Sequence, residues 1–253
     1  MHLKMKISIL LLNLGLLLCS LLAGCGRRDD PQRIIDAAIE AHGGSRFNEL
    51  EMAFDFRKHH YTYQRQGGLF RYTREITDSS GHVLDVLSNA GFTRLINGDT
   101  VSLPEERAQA FTNSVNSVHY FAMLPYGLND AAVQKSYVAE TRLKGEPYHL
   151  IRVRFAQEGG GVDHEDEFLY WIHTETHTMD YLAYSYQTEG GGMRFREAFN
   201  QRELGGIRLQ DYRNYKPKGE GVPLDSLGSL WDAGRLELLS EIRLLNVQVT
   251  GFQ

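Results

Sequence analysis

The segment YWIHTETHTMDYLAYSY, Tyr170 to Tyr186, reads as two strands around one turn. With the residues just before it, Phe168, Tyr170 and Ile172 alternate against Leu169 and Trp171, which is the period of a strand. Thr174-Glu175-Thr176-His177 then turns the chain, and Met179 to Gln187 returns as the second strand. A hairpin of this kind needs neighbours, because an isolated pair of strands is marginal in water.

Neighbours are written on both sides. Upstream, Tyr148 to Phe155 places Ile151, Val153 and Phe155 on one face and Arg152 and Arg154 on the other, and Tyr137 to Leu143 precedes it across Gly145. Downstream, Met193 to Glu203, Ile207 to Tyr215 and Glu241 to Val249 continue the pattern. The first half repeats it from Glu51 to Leu103, with turns at Gly67-Gly68, at Ser79-Ser80-Gly81-His82 and at Asn97-Gly98-Asp99. Short turns and no crossover helices predict an antiparallel meander. The expected fold is mainly β, of the α+β class: a large curved antiparallel sheet or incomplete β-barrel with a few helices packed across its mouth. Residues 216–240 are less regular, and 227–239 reads as a short helix or as a segment wrapping an open edge.

Two regions break the strand period. Asp29 or Asp30 suits a helix cap and Pro31 a first turn; Ile34, Ile35, Ala38 and Ile39 then form an apolar stripe that ends at Gly43-Gly44. This predicts a helix over 31–42, with His42 facing the helix dipole at its end. The second region is Pro104 to Ala132. Pro104-Glu105-Glu106 suits one helix start, and Asn113 or Ser114 a second, leading into NSVNSVHYFAMLPYGLND, residues 113–130. Pro125 stops the helix. Val115, Val118, Phe121, Met123 and Tyr126 are candidates either for core packing or for the lid of a ligand cavity.

The first 24 residues are expected to be a signal peptide. Lys4 and Lys6 precede an uncharged, Leu-rich run from Ile7 to Gly24, which ends in Leu21-Leu22-Ala23-Gly24-Cys25 and resembles a bacterial lipobox. Cleavage and lipidation at Cys25 would anchor the chain to a membrane, with 25–30 as a short tether and 31–253 as a single domain. Gly26, rather than Asp, after the cysteine favours the outer membrane of the cell envelope. Cys19 would leave with the signal, so the mature domain carries no free thiol or disulfide. The loss of Lys4 and Lys6 leaves 25 basic and 32 acidic residues, a net charge near −7 that does not suit a nucleic-acid partner.

Polar candidates are weighed by type and spacing. Arg194 and Arg196 share a strand face opposite Phe195, Glu197 and Phe199, and suit either a carboxylate or phosphate head group or cross-strand pairing with the acidic segment 163–167. Within Asp163-His164-Glu165-Asp166-Glu167, alternation separates Asp163 from His164 and Asp166. No metal site, cofactor or catalytic residue is assigned. His173 and His177 flank a turn rather than sharing a helix face. His59 and His60 are adjacent and do not form a pair. No GxSxG elbow, Walker loop or dinucleotide fingerprint occurs.

The hairpin at 170–186 resembles a paired-strand unit of the LolA/LolB-like lipoprotein-carrier fold. Over nearly the whole mature chain the sequence resembles a family of bacterial, largely Bacteroidetes-type, lipoproteins, DUF6503, on AHGG at 41–44, NSVNSVHYFAMLPYGLND at 113–130, GGGVDHEDEF at 159–168, RFREAFNQRELGGI at 194–207 and DYRNY at 211–215. That resemblance implies an exported or surface-associated domain and carries no known chemistry. The LolA-like one implies an incomplete barrel around a hydrophobic cavity. The expectation is a membrane-anchored, non-enzymatic lipoprotein that binds an acyl chain or other lipid-like ligand at Val118, Phe121, Met123, Tyr126, Arg194 and Arg196. An envelope hydrolase or metal-dependent enzyme built on 163–167, and a structural component of a surface complex, are the alternatives.

Overall fold

The computed structural model describes residues 29–158, 165–187, 190–219 and 221–250. Helix α1, Pro31–His42, starts where the sequence places it: the Asp30 side chain accepts a hydrogen bond from Gln32 N at 3.0 Å. Gly43 ends it at φ +135°, and a Cβ there would stand 2.8 Å from Ile207 Cγ2. Ile34, Ile35 and Ala38 are buried. His42 is a correction. It is fully buried and its Nε2 accepts a hydrogen bond from Met179 N at 3.1 Å, so it ties α1 to the sheet, and burial keeps it neutral instead of a charged partner of the helix dipole.

The strands form two seven-stranded antiparallel sheets. β1 (Glu49–Phe56), β2 (His59–Gln66), β3 (Leu69–Asp78), β4 (Gly81–Ser88), β5 (Gly91–Ile96) and β6 (Asp99–Val101) make a meander, and β14 (Leu245–Thr250) pairs with β1 to complete the first sheet. β7 (Val133–Leu143), β8 (Glu146–Phe155), β9 (Glu167–His173), β10 (Met179–Tyr186), β11 (Gly192–Leu204), β12 (Ile207–Pro217) and β13 (Leu236–Ile242) make the second. β13 and β14 are consecutive, so the two sheets join through residues 243–244. The single strand expected over 241–249 is bent there. Asp211, 1 % exposed, holds the bend: its carboxylate accepts from Leu244 N at 3.0 Å, from Arg202 at 3.1 Å and from Asn200 at 2.7 Å.

Residues 105–122 form one helix, α2 (Glu105–Ala122), where two segments were expected. Asn113 and Ser114 do not cap a second start because their side chains are engaged within and beside the helix. Asn113 accepts from Gln109 one turn earlier, and Ser114 Oγ accepts from Arg74 at 2.7 Å. α2 lies against β3, β4 and β5. A final short helix, α3 (Leu227–Asp232), precedes β13.

Three apolar clusters result. α1 and the segment after α2 cover one face of the second sheet, with Ile151, Val153, Phe168, Tyr170, Ile172 and Leu182 buried beneath them. α3 covers the other face through Trp231, which stacks on Phe195 at 5.3 Å; Trp171 is buried in the same cluster. β9 is thereby covered on both sides, which is why its residues are apolar at consecutive positions. The third cluster joins the first sheet to the β11–β12 tip through Met52, Phe54, Tyr61, Tyr63, Ile207 and Leu209.

Candidate functional site

Between the two sheets, along the flank of α2, runs a cleft of about 600 Å³. That is within the range of about 300–1,000 Å³ typical of small-molecule sites. One wall comes from Phe56, Arg57, His59, Tyr61 and Arg74 of the first sheet and the turn it carries. The other comes from Tyr184, Arg194, Arg196, Gln210, Tyr212 and Asn214 of the second sheet. Val118, Phe121 and Ala122 of α2 line the cleft, and Leu239, Ile242 and Leu244 line it at the bend between the sheets. Leu238, Leu239 and Leu245, all close to that bend, are exposed.

Four of the six residues expected to meet a ligand, Val118, Phe121, Arg194 and Arg196, lie on these walls. Met123 and Tyr126 do not. Met123 follows the last residue of α2 and turns into the third apolar cluster, 4 % exposed. Tyr126 stacks on Phe47 at 4.9 Å and donates to Asn48 at 2.6 Å. The segment therefore divides between cleft wall and core. Phe121 serves both, since it also packs on Tyr184, at 5.5 Å between ring centres.

The strand period puts Arg194 and Arg196 together because both point away from the buried Phe195. Of the acidic segment, Glu167 pairs not with Arg194 or Arg196 but with Arg152 at 2.8 Å and Arg154 at 2.9 Å, both on the adjacent β8. Asp163 and His164 lie outside the described residues. Asp166 is buried and accepts from Gln187 N at 3.3 Å. Among the described residues no group of three His, Cys, Asp or Glu side chains converges to hold a metal. His173 spends its Nδ1 within its own turn, accepting from Glu175 N and Thr176 N.

Arg196 is 7 % exposed, and its guanidinium carbon lies 3.9 Å from the Phe121 ring centre, 5.1 Å from Tyr184 and 6.0 Å from Tyr212. It donates one hydrogen bond to the Tyr184 hydroxyl at 2.8 Å. Its Nε is buried without a hydrogen-bond partner among the described residues, as are Gln210 Oε1 and Asn214 Oδ1 on the same wall. Burial pushes the Tyr212 hydroxyl up to about 12, so it stays neutral beside the cation. Across the cleft, Arg74 shares the buried Asp85 with Arg94, and His59 is held below its usual range by burial and by Arg74. Among the described residues, the cleft lining contains four arginines, one histidine and no carboxylate. Sequence reasoning missed Arg57 and His59. They come to the cleft by a two-residue turn at Arg57-Lys58, where Arg57 takes φ +57° without a glycine to signal it.

The chain matches the model of a family of unknown function, DUF6503, over residues 12–243. It belongs to that family. No curated protein matches it. Among solved structures, this DUF6503 chain is similar to a LolA superfamily protein from Nitrosomonas europaea, at 9 % identity and a TM-score of 0.46, covering 87 % of this chain and 91 % of the other. It is similar to a DUF1329 family protein from Desulfovibrio piger, at 10 % identity and a TM-score of 0.37, covering 88 % and 92 %. A third similar structure is a putative outer membrane lipoprotein-sorting protein domain from Vibrio parahaemolyticus, at 6 % identity and a TM-score of 0.36, covering 88 % and 95 %.

Proposed function

We propose that this protein is a lipid-anchored component of the cell envelope that binds a hydrophobic, lipid-like ligand in the cleft beside α2 without transforming it. The observation that carries the reading is the cleft itself: about 600 Å³ of space opening between two sheets, with Val118, Phe121, Ala122 and Ile242 on its walls. In this reading residues 1–24 are a cleaved signal, Cys25 bears the acyl chains, 25–30 tether the domain, and 31–253 form a single domain. The anchor places the cleft near a membrane, and the leading site is the outer one. Exposed Leu238, Leu239 and Leu245 beside the cleft suit a lipid or an apolar surface arriving there.

The test is extraction of the full-length protein from its native membrane in mild detergent, followed by mass spectrometry of the intact complex. Recovery of a stoichiometric lipid that remains through purification supports the reading. A ligand-free protein that also fails to take up a photoactivatable acyl probe rejects it. Cys25→Ser is expected to move the protein out of the membrane fraction; unchanged partitioning would reject the anchor.

A further inference from the structure

Arg196 defines what kind of head group the cleft takes. A guanidinium this deeply buried needs compensation, because desolvating a cation costs several kcal/mol. Most buried arginines obtain it from a carboxylate, and the same chain does so at Asp85, which both Arg74 and Arg94 grip. Among the described residues Arg196 has no carboxylate within 4 Å. Three rings and one tyrosine hydroxyl surround it instead. Rings over a cation return only part of that cost.

The guanidinium is not closed off. Arg196 lines the cleft, and its buried Nε has no hydrogen-bond partner among the described residues to offset its charge. Arg194 stands two residues along the same face, opposite Tyr184 in the strand register, and donates only to the carbonyl of Met193 at 2.8 Å among the described contacts. An occupant that was wholly apolar would remove more water from Arg196 and return no charge. An occupant with an oxyanion would meet a planar fork of donors with a second arginine beside it. The apolar residues then have their own role. Phe121 carries the guanidinium on one side and continues into Val118 and Ala122, so the charged and apolar parts of the cleft are contiguous.

We propose that the cleft takes an amphiphile with an acidic head, a carboxylate or a phosphate, whose oxyanion is held by Arg196 with Arg194 beside it while its chain lies along Val118, Phe121 and Ile242. This rests on the reading of the cleft as a hydrophobic-ligand site and narrows it to anionic lipids.

The experiment uses the full-length protein in zwitterionic nanodiscs, labelled with a diazirine-bearing hexadecanoate. Four competitors are compared: hexadecanoate, hexadecyl phosphate, methyl hexadecanoate and inorganic phosphate. The expected result is that at least one of the two acidic amphiphiles displaces the probe about tenfold more effectively than the neutral ester, since a hydrogen bond to a charged group is worth about 1.5–3 kcal/mol. The better of the two names the head group. Arg196→Gln is expected to abolish the discrimination against the ester. The comparison on the unaltered protein stands if that variant fails to fold, and Arg194→Gln is expected to weaken the same preference partially. If the ester competes as well as both acids, the acidic head is rejected while the hydrophobic-ligand reading survives. If inorganic phosphate competes as well as hexadecyl phosphate, the site is for a free anion and the amphiphile is rejected. If the probe labels no residue of the cleft, both readings fall together.

Discussion

The guanidinium of Arg196 on β11 lies over the ring of Phe121 on α2, 3.9 Å from its centre. A helix and a sheet meet here through a cation and a ring, at the wall of the cleft. Phe121→Leu keeps apolar bulk and removes the ring. The expected loss of stability is about 0.5–2 kcal/mol from the cation–ring contact. Urea denaturation measures it. A loss equally large in an Arg196→Met background would show that the two residues are not coupled.

Asp85 is 1 % exposed and gripped by two arginines, Arg74 at 2.6 Å and Arg94 at 2.6 Å. Arg94 also sits 3.5 Å from the centre of the Phe111 ring, and Arg74 donates to Ser114, so both arginines reach from the sheet to α2. Asp85→Asn leaves two cations without their shared anion. The expected cost is about 3–5 kcal/mol. Hydrogen exchange should rise across 105–122 in this variant; unchanged protection there would refute the link between Asp85 and the helix.

His42 and His119 are buried neutral. Burial, aided at His42 by Arg208, holds it down at about 3, and burial holds His119 at about 4. In the unfolded chain both titrate near 6.5. Their folded values are depressed, so the unfolded chain takes up protons first as pH falls. Stability is complete above about 6.5 and declines below it, towards 4 for His119 and 3 for His42, by up to about 1.4 kcal/mol per pH unit for each. His42→Gln retains an acceptor for Met179 N and removes one titration. The urea midpoint should then fall less steeply between pH 6.5 and pH 4. An unchanged slope would rule out His42 as a source of acid sensitivity.

Trp231 covers the outer face of the second sheet, stacked on Phe195 and 4.7 Å from Tyr181. Gly228 comes so close beneath it that a Cβ would stand 2.8 Å from Trp171 Cζ2. Trp231→Ala is expected to cost about 3–5 kcal/mol. It also leaves Trp171 as the sole indole in a chain with two. Fluorescence of the folded variant should shift to the red as water reaches Trp171. Emission as blue as that of a buried indole would mean that another segment closes over the face.

What the sequence made legible follows local rules. The 31–42 helix was readable because its cap, proline and apolar stripe are contiguous, and Arg194 and Arg196 were placed together because strand alternation needs only neighbours. The turn at Arg57-Lys58 was not readable, since its left-handed residue is an arginine rather than a glycine. The division into two sheets was hidden for a different reason. Nothing in residues 241–249 marks a break, and the group that fixes it, Asp211, lies 33 positions away from Leu244. Met123 and Phe121 read alike in the sequence because they are two residues apart in one apolar run. The helix ends between them, and that end sends Met123 to another cluster.

The bend at 243–244 sets an order of events. β14 completes the first sheet by pairing with β1, almost two hundred positions earlier in the chain, as in Met52 opposite Val249. Until residues 245–250 are in place, β1 therefore presents a naked edge, and such edges invite pairing with other chains. Leu239, Ile242 and Leu244 reach the cleft on the same late segment. A chain cut before Leu239 would thus lack that wall and keep an adhesive edge, so the cleft exists only once segments far apart in sequence have met.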